Sequence, residues 1–100
     1  MTVEKQKEGN KLIVSVIGRL DTNTSPELEA DVNSDLEGIT ELYFDFQELD
    51  YISSAGLRVV LMFHKYMNNL KGKLVICSPK AEVMEVFDMT GFSTFLNIRE

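Results

Sequence analysis

The sequence predicts a single α/β domain over residues 1–100, with a mixed β-sheet of four to five strands and helices packed mainly on one face. A chain of 100 residues, 44% of them hydrophobic, suffices for one core and leaves no room for a second. Short apolar runs typical of strands alternate with segments whose apolar residues recur at helical spacing. In one run, Leu42, Phe44 and Phe46 alternate with more polar residues, which predicts a sheet covered on one side only.

The first two predicted strands form a hairpin. Residues 2–7 and 12–17 flank the turn signal Gly9-Asn10. Residues 12–17 are apolar on both faces, which predicts a central strand. We expect Gly18 to end this strand and residues 19–24 to form a polar loop.

A helix and a strand follow. Ser25-Pro26 predicts a helix start, because the missing N–H of proline costs nothing in the first turn. Leu28, Val32 and Leu36 then recur at four-residue spacing, and Gly38 is the expected stop. The alternating run described above predicts a strand over residues 41–46.

The next predicted helix covers residues 57–70. Its polar stripe consists of Arg58, Lys65 and Asn69, and Met62 interrupts that stripe. Met62 is either an exposed interface residue or part of a second packed side. The broad apolar side consists of Leu57, Val60, Leu61, Phe63, His64, Met67 and Leu70.

The last third of the chain repeats the alternation. Residues 73–77 predict a buried strand, and Ser78-Pro79 predicts a third helix that ends near Thr90-Gly91. Residues 92–98 are expected to form a turn and a final strand. We find no internal repeat, linker or low-complexity tract.

The charge and composition favour a cytoplasmic protein that binds another protein. A net charge of −6 and scattered basic residues count against nucleic acid or an anionic membrane as a direct partner. The longest apolar run, residues 59–63, is far shorter than the ~20 residues of a membrane span. We expect no secretory signal, because the N-terminal residues are polar, and a single cysteine excludes an internal disulfide.

The segment from Asp50 to Leu57 contains two adjacent serines at the expected start of the 57–70 helix. Ser53 is the natural N-cap, and Ser54 falls in the first turn with nothing in the sequence to cover it. Ala55 and Gly56 leave room for close approach. The pattern is typical of a serine that another protein modifies, although a simple capping pair has the same signature.

Enzymatic interpretations have weak support, and we expect no catalytic residue, metal site or cofactor. His64 is the only histidine, and its place on the apolar side of a helix favours a hydrogen-bonded core residue. Cys77 lacks a companion cysteine and is expected to be a core residue as well. No glycine-rich phosphate loop is present. A cation site formed by Asp21, Asp45 and Asp50 lacks fixed spacing, so solvated loop acids are the default interpretation.

Three segments of the chain resemble the STAS domain, the fold of bacterial anti-sigma factor antagonists and of the cytoplasmic tails of sulfate transporters. They are Gly18–Asp21, Phe46–Leu61 and Val86–Phe92, and the resemblance extends over nearly all 100 residues. The middle segment is the specific one. Antagonists carry Asp-Ser-Ser/Thr-Gly-Leu there, and the serine two residues before the glycine is phosphorylated.

The resemblance implies that Ser54 is the phosphorylated residue and that this chain is an anti-sigma factor antagonist. The unmodified domain would bind an anti-sigma factor that is also a serine kinase, phosphorylation would release it, and a metal-dependent serine phosphatase would reset it. Ser53 stands where the family has aspartate, and Ala55 stands where it has Ser or Thr. The first departure removes a negative charge and adds a second hydroxyl that could be modified.

We therefore expect a monomer with one partner-binding surface around Ser54. The expected members are Asp21, Thr22, Asn23, Thr24, Asp50, Ser53, Gly56, Arg58 and Met62. Three alternatives remain open at this point: a STAS module that binds a protein permanently as a scaffold or within a transporter, a phosphotransfer enzyme using Cys77 or His64, and a nucleotide-binding domain.

Overall fold

A computed structural model describes all 100 residues and confirms the α/β domain with a mixed sheet. It contains six strands, where the sequence predicts four to five, and three helices. The strands are β1 (Thr2–Glu8), β2 (Lys11–Leu20), β3 (Glu41–Asp45), β4 (Leu49–Ile52), β5 (Lys73–Cys77) and β6 (Asn97–Arg99). The helices are α1 (Ser25–Asn33), α2 (Ser54–Asn69) and α3 (Ala81–Thr90), and a short 3-10 helix spans Phe92–Thr94.

Strand β2 is shared between two parallel neighbours. The sheet has the order β1-β2-β3-β5-β6, and only the β1–β2 hairpin is antiparallel. Residues 11–15 of β2 pair with β3, whereas residues 18–20 pair with β4. The expectation that Gly18 ends the strand is therefore wrong. Gly18 has a φ of +100°, which produces a register shift rather than a stop, and the strand continues to Leu20.

The core lies between the sheet and the helices. Alternate residues of β3 are fully buried and their neighbours on the other face are half-buried, which confirms the alternation predicted for residues 41–46. Strand β2 shows the same burial pattern over Lys11–Ile17, although its sequence there is largely apolar on both faces. The largest fully buried side chains include Phe44 and Phe46 on the sheet side and Phe63 and Phe87 on the helices. This packing fixes the helix starts relative to the strand ends.

Two helix ends differ from the expectation. α1 ends at Asn33, so Leu36 is buried but lies beyond the helix. The chain tightens there, because Asp35 and Leu36 donate their backbone N–H groups to carbonyls three residues back rather than four. α2 begins at Ser54 and ends at Asn69, and Leu70 is 47% exposed rather than part of the buried side.

Candidate functional site

The candidate site lies where β2 and β4 end side by side. The backbone N–H of Ser53, which follows β4, donates to the carbonyl of Leu20 at the end of β2, at 2.9 Å. Because the two strands are parallel, the loop that follows β2 and the helix that follows β4 leave the same edge of the sheet. This contact places the Asp21–Thr24 loop beside the first turns of α2.

Ser53 is the N-cap of α2, as predicted. Its backbone is extended (φ −96°, ψ 177°), and its Oγ accepts a hydrogen bond from the N–H of Gly56 at 3.4 Å. The residue is half-buried. Its side chain therefore satisfies one of the N–H groups that a helix start leaves without an intrahelical partner.

Ser54 is the first residue of α2, and its side chain is exposed. Its hydroxyl makes no hydrogen bond within the chain, unlike the hydroxyl of Ser53 one residue earlier. The hydroxyl is thus accessible to a second protein. An acidic group at this position would also lie near the positive end of the helix dipole, which favours negative charge.

Gly56 has a different role from the one expected. It is buried, and an added Cβ would lie 2.8 Å from Ile52 Cγ1 and 2.9 Å from Leu20 Cγ. The close approach that this glycine permits is therefore that of α2 to the ends of β2 and β4. A partner cannot contact it directly, so Gly56 supports the site from within.

The Asp21–Thr24 loop is held by its own hydrogen bonds. Asp21 Oδ1 accepts from the backbone N–H groups of Asn23 and Thr24 at 3.0 and 3.1 Å. Thr24 Oγ1 accepts from the N–H of Asp21, and its single O–H proton has two acceptors within reach, the carbonyl of Arg19 at 2.9 Å and Asp21 Oδ1 at 3.1 Å. The N–H of Thr24 is the main cause of a lowered pKa at Asp21, and the Thr24 hydroxyl, the N–H of Asn23 and the Arg19 guanidinium contribute to it.

A groove of about 260 Å³ separates α1 from α2 next to this loop. It brings together three residues of the predicted surface: Thr22, Arg58 and Met62. Met62 is 37% exposed and faces α1, so it belongs to a second packed side of α2 and is also accessible. The rest of the groove is formed by Ser25, Pro26, Glu29, Ala55 and Val59.

The α1-facing side of α2 could have been found from the sequence. Ala55, Val59 and Met62 recur at spacings of four and three, which is the signature of an apolar helix stripe. This stripe is weaker than the main one because it begins with alanine. Pro26 and Glu29 carry no comparable signal, since their position depends on how α1 docks.

Asp50 lies on the α3 side of β4. Its carboxylate forms an ion pair with Lys80, the residue before α3, and this hydrogen bond is the main cause of a raised pKa at Lys80. The next residue, Tyr51, packs under the Arg19 guanidinium at 4.1 Å from the ring centroid. Sequence reasoning missed Lys80, Arg19 and Tyr51 because β4 was not recognised as a strand.

The residues considered for metal or enzymatic chemistry are His64, Cys77 and the three aspartates Asp21, Asp45 and Asp50. No group of three or more His, Cys, Asp or Glu side chains is arranged to hold a metal ion. Burial, followed by the charge of Asp45, raises the pKa of the half-buried Cys77 thiol, which disfavours the thiolate. His64 is half-buried rather than a full core residue; it hydrogen-bonds Asn68 at 3.1 Å and packs on Phe95.

None of the helices combines the length and apolarity needed to cross a membrane.

Known proteins with similar sequences include two that are named anti-sigma factor antagonists. The chain is 38% identical over 93 residues to BtrV of Bordetella bronchiseptica, which is named as an anti-sigma factor antagonist. The aligned region covers 92% of this chain and 80% of that protein. It is 27% identical over 97 residues to the anti-sigma-B factor antagonist of Listeria monocytogenes, covering 95% and 84%. These names agree with the prediction that the chain is a regulatory binding protein and not an enzyme.

Solved structures share the fold at low sequence identity. An anti-sigma factor antagonist from Thermotoga maritima superposes with a TM-score of 0.92 at 16% identity, covering 98% of this chain and 86% of that one. SpoIIAA of Bacillus in its phosphorylated form superposes with a TM-score of 0.77 at 16% identity, covering 97% of this chain and 90% of that one. The family match itself runs over residues 2–100 and is to the STAS domain. This chain belongs to the STAS domain family.

Proposed function

We propose that this protein is a cytoplasmic anti-sigma factor antagonist controlled by phosphorylation of Ser54. The unphosphorylated form binds an anti-sigma factor that is also a serine kinase, and the sigma factor is thereby released. The observation that carries the proposal is the exposed, unbonded hydroxyl of Ser54 at the start of α2, beside an ordered loop and a groove.

Ser54 is a better acceptor than Ser53 for a structural reason. The hydroxyl oxygen of Ser53 accepts the N–H of Gly56, and the residue is half-buried. Phosphorylation there would disturb the helix cap. Ser54 can be modified without the loss of any hydrogen bond. The kinase transfers the γ-phosphoryl group of ATP to the Ser54 oxygen, and ADP and the hydroxyl proton are released.

The partner surface consists of the tip of the Asp21–Thr24 loop, Ser54 and the groove between α1 and α2. Thr22 and Asn23 are exposed at the tip, where the loop's own hydrogen bonds hold them. Met62 offers adaptable apolar area, and Arg58 offers a positive charge to an acidic partner residue. Asp50 lies toward α3 and forms the margin of this surface.

The switch works by changing what the interface must bury. A phosphate adds about −1.5 to −2 charges. In the free protein this charge is exposed at a helix start, where the dipole favours it by roughly 0.3–1 kcal/mol. Buried against a partner that fits a neutral hydroxyl, the same charge costs several kcal/mol, and every ~1.4 kcal/mol is a tenfold loss of affinity. A metal-dependent serine phosphatase then restores the binding form.

The test combines phosphate mapping with a binding measurement. The protein, Ser53→Ala and Ser54→Ala are incubated with the anti-sigma factor kinase of the same organism and ATP, and the phosphate is located by mass spectrometry. We expect phosphate on Ser54 in the first two proteins and none in Ser54→Ala. Calorimetry should then show binding to the kinase before phosphorylation and a large loss after it.

Two results would contradict the proposal. A protein that binds the kinase but gains no phosphate on Ser54 is a permanent binding module. A phosphorylated protein whose affinity is unchanged has a modification that does not act as a switch. In either case the STAS fold remains, and the scaffold alternative is favoured.

A further inference from the structure

Arg58 is the only charged residue in the first two turns of α2, and no group in the chain neutralises it. It is exposed and lines the groove. The ion pairs of the molecule are Lys5–Asp35, Arg19–Asp21, Lys73–Glu41 and Lys80–Asp50, and none includes Arg58. Glu29 lies across the same groove but forms no ion pair with it. The guanidinium is therefore free to take another partner.

Ser54 and Arg58 are neighbours on the surface of α2. They stand four residues apart in one continuous helix, a spacing that brings their Cβ atoms within about 5–6 Å. Side chains of a helix also lean toward its N-terminus, so the long Arg58 side chain extends in the direction of Ser54. An acidic group placed N-terminal to a basic one at this spacing has the more favourable orientation.

We propose that a phosphate on Ser54 binds Arg58 in an ion pair within α2 and thereby withdraws from the groove the positive charge that the unphosphorylated protein offers to its partner. This inference rests on the proposed function and adds a second effect to it. Phosphorylation then both places a dianion at the interface and removes a cation from it. The two effects weaken the binding of an acidic partner in the same direction.

Arginine suits this exchange. Its planar guanidinium presents parallel N–H donors to a phosphate or a carboxylate, and a phosphate that pairs with it offsets the positive charge that would otherwise attract a partner carboxylate. The local charge contributed by residues 54 and 58 changes from +1 to between about −0.5 and −1 on phosphorylation. No movement of the backbone is needed, because the change is a rotation of one exposed side chain.

The test uses protein with phosphoserine installed at position 54 during synthesis, so that no kinase is involved. The pH titration of the phosphate is followed by ³¹P NMR in otherwise unchanged protein, in Arg58→Gln and in Lys65→Gln. The Arg58 side-chain Nε–H signal is recorded with and without the phosphate. The other charged groups that face this region, Asp21, Arg19 and Glu29, are the same in all three proteins.

We expect Arg58→Gln to raise the second pKa of the phosphate by roughly 0.2–0.4 unit, because the arginine stabilises the dianion. We also expect the Nε–H signal of Arg58 to shift when the phosphate is present. Lys65→Gln should have no effect, since Lys65 lies eleven residues from Ser54 on the same helix, about 16 Å along its axis and beyond the Debye length of ~10 Å at 0.1 M salt.

An unchanged phosphate pKa in Arg58→Gln, together with an unmoved Nε–H signal, overturns the inference. An equal shift in Lys65→Gln also overturns it, because the effect would then reflect net charge and not a specific pair. These outcomes are separate from the proposed function, since failure of the kinase to modify Ser54 would leave the titration results intact.

Discussion

At the scale of single residues, two adjacent serines have different tasks. Ser53 is half-buried, and its oxygen caps α2 by accepting from Gly56. Ser54 is exposed, and its oxygen has no bond within the chain. The difference arises because Ser53 has extended backbone geometry and Ser54 is already helical. A cap that must be kept and a hydroxyl that can be changed are thereby placed side by side.

This division predicts unequal effects of alanine at the two positions. Ser53→Ala should lower the free energy of unfolding by about 0.5–1 kcal/mol, at the low end for a lost cap because the 3.4 Å bond is long. Ser54→Ala is the matched control and should change stability very little, since no bond is lost and alanine favours a helix. Urea denaturation of both variants measures the difference, and equal losses would show that Ser53 is not the stabilising cap.

How far the site could be predicted differs from residue to residue. The cap and the exposed serine follow from local rules about helix starts, and those rules need only the neighbouring residues. The role of Gly56 could not be predicted, because the atoms it approaches belong to Leu20 and Ile52. The pairing of Asp50 with Lys80 likewise joins residues thirty positions apart. Such contacts exist only once the strands have found their order.

At the scale of elements, the Asp21–Thr24 loop is organised before any partner arrives. Its backbone N–H groups point inward to the Asp21 carboxylate, which holds the loop in one conformation at the start of α1. The carboxylate must be ionised to accept these bonds well, which is consistent with the lowered pKa of Asp21. The order of the loop is therefore coupled to pH.

The expected pH dependence has a definite sign. The pKa of Asp21 is lower in the folded protein than its ordinary value of 3.8, so its contribution is complete above that value and is lost as the pH falls through the folded pKa. Asp21→Asn should therefore lower the free energy of unfolding at neutral pH. Below about pH 4, the stability of this variant should fall less steeply with decreasing pH than that of the unchanged protein. Thermal unfolding between pH 7 and pH 3 measures both.

The control for this prediction is Asp88→Asn. It removes the same charge from an exposed position on α3, far along the chain from the loop. Its acid profile should parallel that of the unchanged protein. If Asp21→Asn also follows the unchanged protein throughout, the carboxylate does not hold the loop.

The contact of α2 with the ends of β2 and β4 predicts that Gly56→Ala is destabilising. Alanine is the better helix residue by roughly 1 kcal/mol, but its Cβ would lie 2.9 Å from Leu20 Cγ and 3.0 Å from the Leu20 carbonyl oxygen. The backbone oxygen cannot move away without disturbing the hydrogen bond from Ser53 to Leu20. We expect a net loss of about 1–3 kcal/mol, the usual cost of overpacking. Thermal denaturation measures it, and a stabilised variant would mean that α2 can shift outward.

The elements differ in how visible they are in the sequence. Strand β3 and helix α2 were predicted because their apolar residues repeat at regular spacing. β4 was missed because it has only four residues, with the outer two buried and the inner two exposed, which matches no strand period. Its existence depends on β2 continuing past the register shift at Gly18. Because β4 is short and its apolar residues do not alternate, no local rule could have predicted this strand.

At the scale of the whole molecule, the site is attached to the core on every side but one. The loop begins where β2 ends at the buried Leu20, and α2 packs Leu57, Val60 and Phe63 into the core. Only the outer surface, with Ser54, Arg58 and Met62, remains free. A domain built in this way can change its binding without changing its shape, because the exposed side chains of the outer surface contribute little to the packing of the core.

This separation predicts that Ser54→Asp changes binding and leaves the fold intact. The new carboxylate lies at the start of α2, where it should alter the free energy of unfolding by no more than ~1 kcal/mol and in the stabilising direction. At the proposed interface it must be desolvated, so affinity for the anti-sigma factor kinase that we propose as the partner should fall at least tenfold, or about 1.4 kcal/mol. Calorimetry and urea denaturation of the same samples give the two quantities.

Ser54→Asn decides whether charge or shape is responsible, because asparagine matches aspartate in size and carries no charge. We expect Ser54→Asn to bind the kinase more tightly than Ser54→Asp. It should recover most of the affinity that Ser54→Asp loses relative to the unchanged protein. Equal weakening by both variants would assign the effect to steric exclusion. A loss of stability in Ser54→Asp would be more serious, since it would mean that position 54 supports the fold and that binding and folding are not separable at this surface.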